Sequence, residues 1–308
     1  MLPFARVAIV GLGLIGSSVA RGVRHAMPTV RLSGYDADPA VRDTANRLGL
    51  VDDVADQPGA AVTDADLVVL CVPVGAIGAV AGELAADLPS DVIVTDVGSC
   101  KTEVARALAE AIPTVTVVPA HPVAGTERSG PEAGFATLFA GRWCILTPAA
   151  DADPLAVARV GEFWRRLGAD VETMTPEHHD RVLAVTSHLP HLIAYSIVGT
   201  ASDLEAVTES EVIKYSAGGF RDFTRIAASD PTMWRDVFLS NREAVLEMLG
   251  RFSEDLAQLQ RAIRWGDGDA LFDLFTRTRA IRRSIVEQGQ DDAREDFGRD
   301  HGAAAGDG

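Results

Sequence analysis

Cysteine, positive charge and long apolar runs are all scarce in this chain of 308 residues, and each shortage excludes something. The cysteines are three, Cys71, Cys100 and Cys144, without CxxC spacing, so neither a disulfide framework nor a structural zinc site is expected. Lys and Arg number 28 against 44 Asp and Glu, a formal net charge of −16, which argues against nucleic-acid binding because that needs a basic face. Apolar runs such as Leu67 to Val74 are far shorter than the roughly 20 residues of a membrane span. The first strand runs straight into a glycine turn with no leader-like pattern before it, so a mature, cytoplasmic protein is expected. What is present is ordinary globular material, 47% hydrophobic and 23% charged, and the length suggests two domains. An anionic ligand would need a locally positive pocket within this acidic chain.

Up to about residue 174 the sequence alternates short apolar runs with helical patterns, the rhythm of a mainly parallel, doubly wound α/β sheet covered on both faces. Val7–Val10, Leu32–Tyr35, Leu67–Val72, Val92–Asp96, Val115–Val118, Trp143–Thr147 and Asp170–Met174 are the predicted strands. Val74–Leu88, Lys101–Ile112 and Pro154–Leu167 carry apolar residues at helical spacing. From 175 to 288 the pattern is all-helical. Thr175-Pro176-Glu177 has a capping hydroxyl, proline at the first helical position and an acid in the first turn. Pro231 opens a helix that the periodicity extends to Trp265, and another covers Asp269–Glu287. So long an apolar stripe predicts contact with a second chain, hence a homodimer through the helical domain. Residues 289–308 have little to bury and read as a disordered tail, and no appended regulatory domain is expected.

Gly11-Leu12-Gly13-Leu14-Ile15-Gly16 follows the first strand and opens a helix. Alone, GxGxxG is a weak signal. Here the glycines provide a tight turn, close approach to a pyrophosphate and helix–strand packing, with the helix N-terminus aimed at phosphate. Asp36 ends the second strand, where an acid binds ribose hydroxyls and repels a 2′-phosphate. NAD is therefore expected over NADP, with Arg42 the nearby cation that tempers the preference.

Ser99 and His121 lie beyond predicted strand ends, where open α/β sheets bind ligands, and His121 can act as a general base. Taken alone, without the glycine-loop signal, His121 reads rather as a loop histidine capping a carbonyl. In Ser187-His188-Leu189-Pro190-His191 the two histidines share a helix face, and Pro190 denies a partner to the carbonyl of Thr186. Site wall, interhelical packing and a zinc pair are the three readings, zinc being the weakest because no further ligand completes it. Gly218–Trp234 places Arg221 and Arg225 four apart before Trp234, a set that can clamp a carboxylate or simply be solvated.

Asp96–Lys101 (DVGSCK), His121–Gly130 (HPVAGTERSG), Ser187–His191 (SHLPH) and Gly218–Trp234, together with the glycine loop, resemble the prephenate/arogenate dehydrogenase family. The resemblance implies a Rossmann domain over 1–174, an all-α dimerisation domain over 175–288, and NAD-linked oxidative decarboxylation in tyrosine biosynthesis. It implies His121 and Ser99 as catalytic residues. Arg225 would bind a substrate carboxylate, and His188 and His191 would line the site. Asp222 and Trp234 would stand near its entrance, Trp234 reaching towards the neighbouring subunit, Glu127 would help gate access, and Thr126 beside it would bind substrate. The β-hydroxyacid dehydrogenases share this two-domain plan but rely on a lysine in the helical domain, and the chain has only Lys101 and Lys214.

Overall fold

The computed structural model describes residues 2–126, 128–205 and 217–287; Glu127, Lys214 and the tail expected over 289–308 lie outside the described residues. Backbone packing divides the chain after Met248 into two compact units.

In the first unit β1 (Arg6–Val10), β2 (Arg31–Tyr35), β3 (Asp53–Val54), β4 (Leu67–Leu70), β5 (Ile93–Asp96) and β6 (Thr116–Val117) form a parallel sheet in the order β3-β2-β1-β4-β5-β6. Helices α1 (Leu14–Ala26), α2 (Pro39–Leu48), α3 (Pro58–Val62), α4 (Ile77–Leu84) and α5 (Thr102–Ala111) connect the strands. The central strands are apolar throughout because alternate residues enter different cores. Val7, Ile9, Leu67, Val69 and Ile93 pack with Val19, Ala20 and Val23 of α1. Ala8, Val10, Val68, Leu70 and Val94 pack with Ile77, Ala81, Leu84, Val104 and Leu108 on the opposite face.

The predicted strands at Trp143 and Asp170 do not extend this sheet. A second sheet contains β7 (Ala120–Pro122), antiparallel to β8 (Trp143–Leu146), which is parallel to β9 (Asp170–Thr173). The switch falls at Pro119–Ala120: Val118 N–H makes the last bond to Val94, the Pro119 carbonyl accepts Thr147 N–H from beside β8, and Ala120 N–H turns to the Asp96 side chain instead of the β5 backbone. His121 therefore lies within a strand, opposite Ile145, rather than in a loop. Helix α6 (Pro154–Arg166) covers this sheet, with Phe163 and Trp164 fully buried and Phe139 edge-on to Trp164 at 5.3 Å.

Helix α7 (Pro176–Leu183) starts as its sequence predicts, the Thr175 hydroxyl accepting the N–H of His178 at 3.2 Å. A π-helical turn, Ala184–His188, leads into α8 (Leu189–Glu205). This wider turn sits where Pro190 withholds its hydrogen bond from Thr186. The run Pro176–Asp203, mean hydropathy 1.4, is long and apolar enough by composition to cross a membrane. Of its apolar window 28% is buried, and it carries the buried polar residues His179, Asp180 and His188. Next come α9 (Gly218–Thr224), α10 (Pro231–Ser240) and α11 (Arg242–Trp265). The single helix expected from Pro231 to Trp265 is thus interrupted at Asn241, whose backbone leaves helical geometry and whose side chain turns into the interior.

The second unit holds the rest of α11 and α12 (Gly268–Glu287), joined through Gly266, whose φ of +68° suits a glycine closing a helix. Leu256, Ile263, Trp265, Phe272, Phe275 and Ile281 are exposed on it.

Candidate active site

The glycine loop leaves β1 through Gly11, with φ +95° and its N–H bonded to the Tyr35 carbonyl at 2.8 Å. A Cβ at Gly11 would strike the Cys71 carbonyl, and one at Gly16 the Gly11 carbonyl. At Gly13, by contrast, a Cβ would meet nothing within 4 Å, so the backbone is open on that side. Gly13 caps α1 without a side-chain hydrogen bond, leaving N–H groups of Leu14 and Ile15 for an anion. Asp36 accepts Leu12 N–H at 2.8 Å, holding its carboxylate beside the loop. These residues fit a dinucleotide. Arg42 lies over the Tyr35 ring and donates to the carbonyls of Asp36 and Ala37. Asp36→Asn preserves an acceptor for Leu12 while removing the charge. The ratio of kcat/KM with NAD to that with NADP should fall at least roughly tenfold, since like-charge repulsion at a binding site costs several kcal/mol; an unchanged ratio would exclude Asp36 as the discriminating residue.

Beneath the site lies a buried ion pair. Lys101 Nζ and Asp96 Oδ2 are 2.5 Å apart, both fully buried. Lys101 also donates to the Ala120 carbonyl at 2.8 Å, and Asp96 accepts the Ala120 N–H at 3.2 Å. The peptide groups on both sides of Ala120 are thereby clamped next to His121. Gly98 N–H completes the Asp96 carboxylate at 2.7 Å.

His121 Nδ1 lies 2.8 Å from His179 Nε2, and His179 Nδ1 lies 2.9 Å from Asp180 Oδ1. Asp180 also accepts the backbone N–H groups of Lys101 at 2.8 Å and Thr102 at 2.9 Å, at the N-terminus of α5. Burial pushes the Asp180 carboxyl up, but these hydrogen bonds outweigh it and hold it below its ordinary value. An ionised carboxylate only accepts, so His179 carries its proton on Nδ1. Burial lowers the His179 pKa more than Asp180 raises it, so its Nε2 is a bare acceptor. His121 must then donate from Nδ1, and its own Nε2 is left without a proton. Burial, reinforced by His179, Lys101 and His188, holds His121 well below the ordinary imidazole range. The chain of three side chains therefore presents a neutral base at one defined atom.

Trp234 gathers the other histidines. Its ring stacks on His191 at 3.6 Å and meets His188 edge-on at 6.1 Å. It is 7% exposed and, with Cys100 and Val237, forms a small apolar cluster. One face of its ring is thus taken by His191 of its own chain. His191 donates from Nδ1 to the Ser187 carbonyl at 2.9 Å; burial lowers its pKa, the Ser187 hydrogen bond opposes this, and the charge of Arg225 adds a smaller lowering. The backbone of Ser99 borders His188 and its side chain borders Cys100.

The structure thus brings His121, His188, His191, Trp234, Ser99 and Arg225 into one chain of neighbours. Thr126 is exposed, with its hydroxyl accepting Arg128 N–H, and Asp222 is exposed on α9. Neither meets the histidines through a hydrogen bond among the described residues. His179, Asp180 and Asn241 escaped the sequence reading, although an adjacent His-Asp pair one turn after a capped helix start was visible. Lys101 is spent on Asp96, which removes it as the acid/base lysine of a β-hydroxyacid dehydrogenase. Among the described residues no group of three His, Cys, Asp or Glu side chains is arranged to hold a metal.

Comparison with known proteins identifies the family of the chain. Residues 19–173 match the family model for the prephenate dehydrogenase nucleotide-binding domain, and residues 175–277 match that for the prephenate dehydrogenase dimerization domain. Cyclohexadienyl dehydrogenase of Zymomonas mobilis is 46% identical over 285 residues, covering 92% of this chain and 97% of the relative. Prephenate dehydrogenase of Bacillus subtilis is 34% identical, covering 91% and 76%. The crystal structure of Aquifex aeolicus prephenate dehydrogenase with hydroxyphenyl propionate and NAD+ matches with a TM-score of 0.86 at 35% identity, covering 92% of this chain and 98% of that one. Synechocystis arogenate dehydrogenase matches with a TM-score of 0.77 at 27% identity, covering 91% and 99%. With both halves matched and a relative 46% identical over nearly its whole length, the chain belongs to the prephenate dehydrogenase family.

Proposed function

We propose that the protein is an NAD-dependent dehydrogenase that converts prephenate to 4-hydroxyphenylpyruvate in tyrosine biosynthesis. The observation that carries this reading is the Asp180–His179–His121 chain, which leaves a bare imidazole nitrogen in a buried site of the same compact unit as the glycine loop. NAD+, when bound, takes the hydride from the ring carbon that bears the hydroxyl. His121 accepts the hydroxyl proton at Nε2, and Asp180 balances the resulting imidazolium through His179. The ring carboxylate leaves as CO2, the ring becomes aromatic, and His121 returns the proton to oxygen. Aromatisation supplies the driving force, so the protein's task is to position and polarise. Ser99 supports the hydroxyl end, and Arg225 clamps a substrate carboxylate, which answers how an acidic chain holds an anion. His188, His191 and Trp234 form the wall, with Asp222, Thr126 and Glu127 assigned to the entrance.

Arogenate, which would give tyrosine directly, is the second reading, because the arogenate dehydrogenase of Synechocystis shares the fold over the same length. Purified protein assayed for NADH with each substrate and each cofactor decides between them, and no NADH from either substrate would sink the proposal. Arg225→Ala should raise KM for the substrate roughly 10- to 100-fold, the worth of a charged hydrogen bond, with a smaller change in kcat. A loss confined to kcat would argue against the clamp.

The exposed apolar residues of α11 and α12 support a homodimer built through the helical part. Three free thiols support a reducing, cytoplasmic setting.

A further inference from the structure

Asn241, which interrupts the helix between α10 and α11, is 5% exposed and points at the π-helical turn. Its Nδ2 lies 2.8 Å from the Asp180 carbonyl oxygen and 3.1 Å from His188 Nδ1. The carbonyl fixes the amide orientation, since the reverse would set oxygen against oxygen. An amide nitrogen has two hydrogens to give and accepts none, so His188 Nδ1 carries no proton. The proton of the neutral ring is therefore on Nε2. His188 is fully buried, and its Nε2 makes no hydrogen bond of normal geometry among the described residues; the Ser99 backbone acts on the ring only as the weakest of the influences on it. A buried donor left unpaired is costly unless something else fills the position.

We propose that Asn241 is a positioning residue: it locks His188 in the Nε2–H form and makes it a hydrogen-bond donor to an oxygen of the bound substrate. This rests on the function proposed above. The two arms of the site then have opposite sense, both traced to Asp180. Its carboxylate, through His179, makes His121 an acceptor, while its backbone carbonyl, through Asn241, helps make His188 a donor. The groups facing His188 are Asp180 and His179 from α7, His191 from its own helix, Trp234 from α10 and the Ser99 backbone. Burial dominates among them and pushes the ring down to about 4, so the neutral form persists through the working range.

The test begins with the apo protein labelled with 15N-histidine, the His188 signals being those lost in His188→Gln. Expected are a protonated Nε2 and a bare Nδ1, with no titration near the ordinary histidine pKa. Asn241→Asp replaces the donor with an acceptor and should move the proton to Nδ1 or charge the ring. KM for prephenate should then rise roughly tenfold or more with a much smaller change in kcat. In a His188→Gln background, where an amide nitrogen takes the place of Nε2, Asn241→Asp should add little further loss. A proton on Nδ1 in the wild type, an unchanged KM in Asn241→Asp, or the same loss in both backgrounds would each overturn the proposal. If Asn241→Asp fails to fold, the wild-type spectrum still decides. Absence of turnover with prephenate and arogenate together with the expected spectrum would fault the proposed function and leave the tautomer lock standing.

Discussion

His121→Asn should lower kcat by roughly 10²–10⁴, the range for removing a positioned general base, while leaving NAD binding and the fold intact. Asn is the informative replacement. Its amide can still donate where Nδ1–H does, so buried His179 keeps its partner, and only the accepting nitrogen is lost. Turnover within a few-fold of wild type would remove His121 from the chemistry. The same site predicts an unusual acid limb for the wild type. A base works when unprotonated, and burial, with Lys101 nearby, lowers the pKa values of both His121 and His179. Activity should therefore hold level as pH falls through about 6.5, the ordinary histidine value, and decline only well below it. A kcat/KM profile that breaks near 6.5 would contradict the buried, neutral assignment.

Lys101→Met should produce the largest loss of stability. Methionine approximates the length of lysine but leaves Asp96 as an uncompensated carboxylate with no exposed surface, and it takes the donor from the Ala120 carbonyl. Breaking a buried pair from one side costs about 3–5 kcal/mol. For a domain of this size that is a fall in Tm of roughly 6–20 °C, measurable by circular dichroism. Adding Asp96→Asn should recover part of the loss, because the charge goes while an acceptor for Gly98 or Ala120 remains. A Tm shift within about 2 °C, smaller than a single kcal/mol would give, would mean that the pair contributes little.

The sequence was most readable where one residue type has one local job. The glycine loop, Asp36 and the Thr175-Pro176 start were visible because each is a short-range backbone requirement. Strands β1, β4 and β5 were visible because strands buried on both faces are apolar without interruption. β3 and β7 were not, since two or three residues cannot establish an alternation. The histidine chain stayed hidden for another reason. His121 and His179 are 58 residues apart, and nothing local tells His179 from a solvated first-turn histidine such as His178. Asn241 was masked by its surroundings. Apolar residues continue at helical spacing on both sides of it, so periodicity reads straight through the break.

β7 carries His121, and β9 runs into the helix that carries His179, so one three-stranded sheet sets the spacing between base and support. Asp36 stands at the end of β2 in the other sheet, on the far side of β1 and β4 from the strand that bears Asp96. On the roles proposed above, choice of nucleotide and handling of the proton would then be set by different sheets, so that the one could be retuned without redrawing the other.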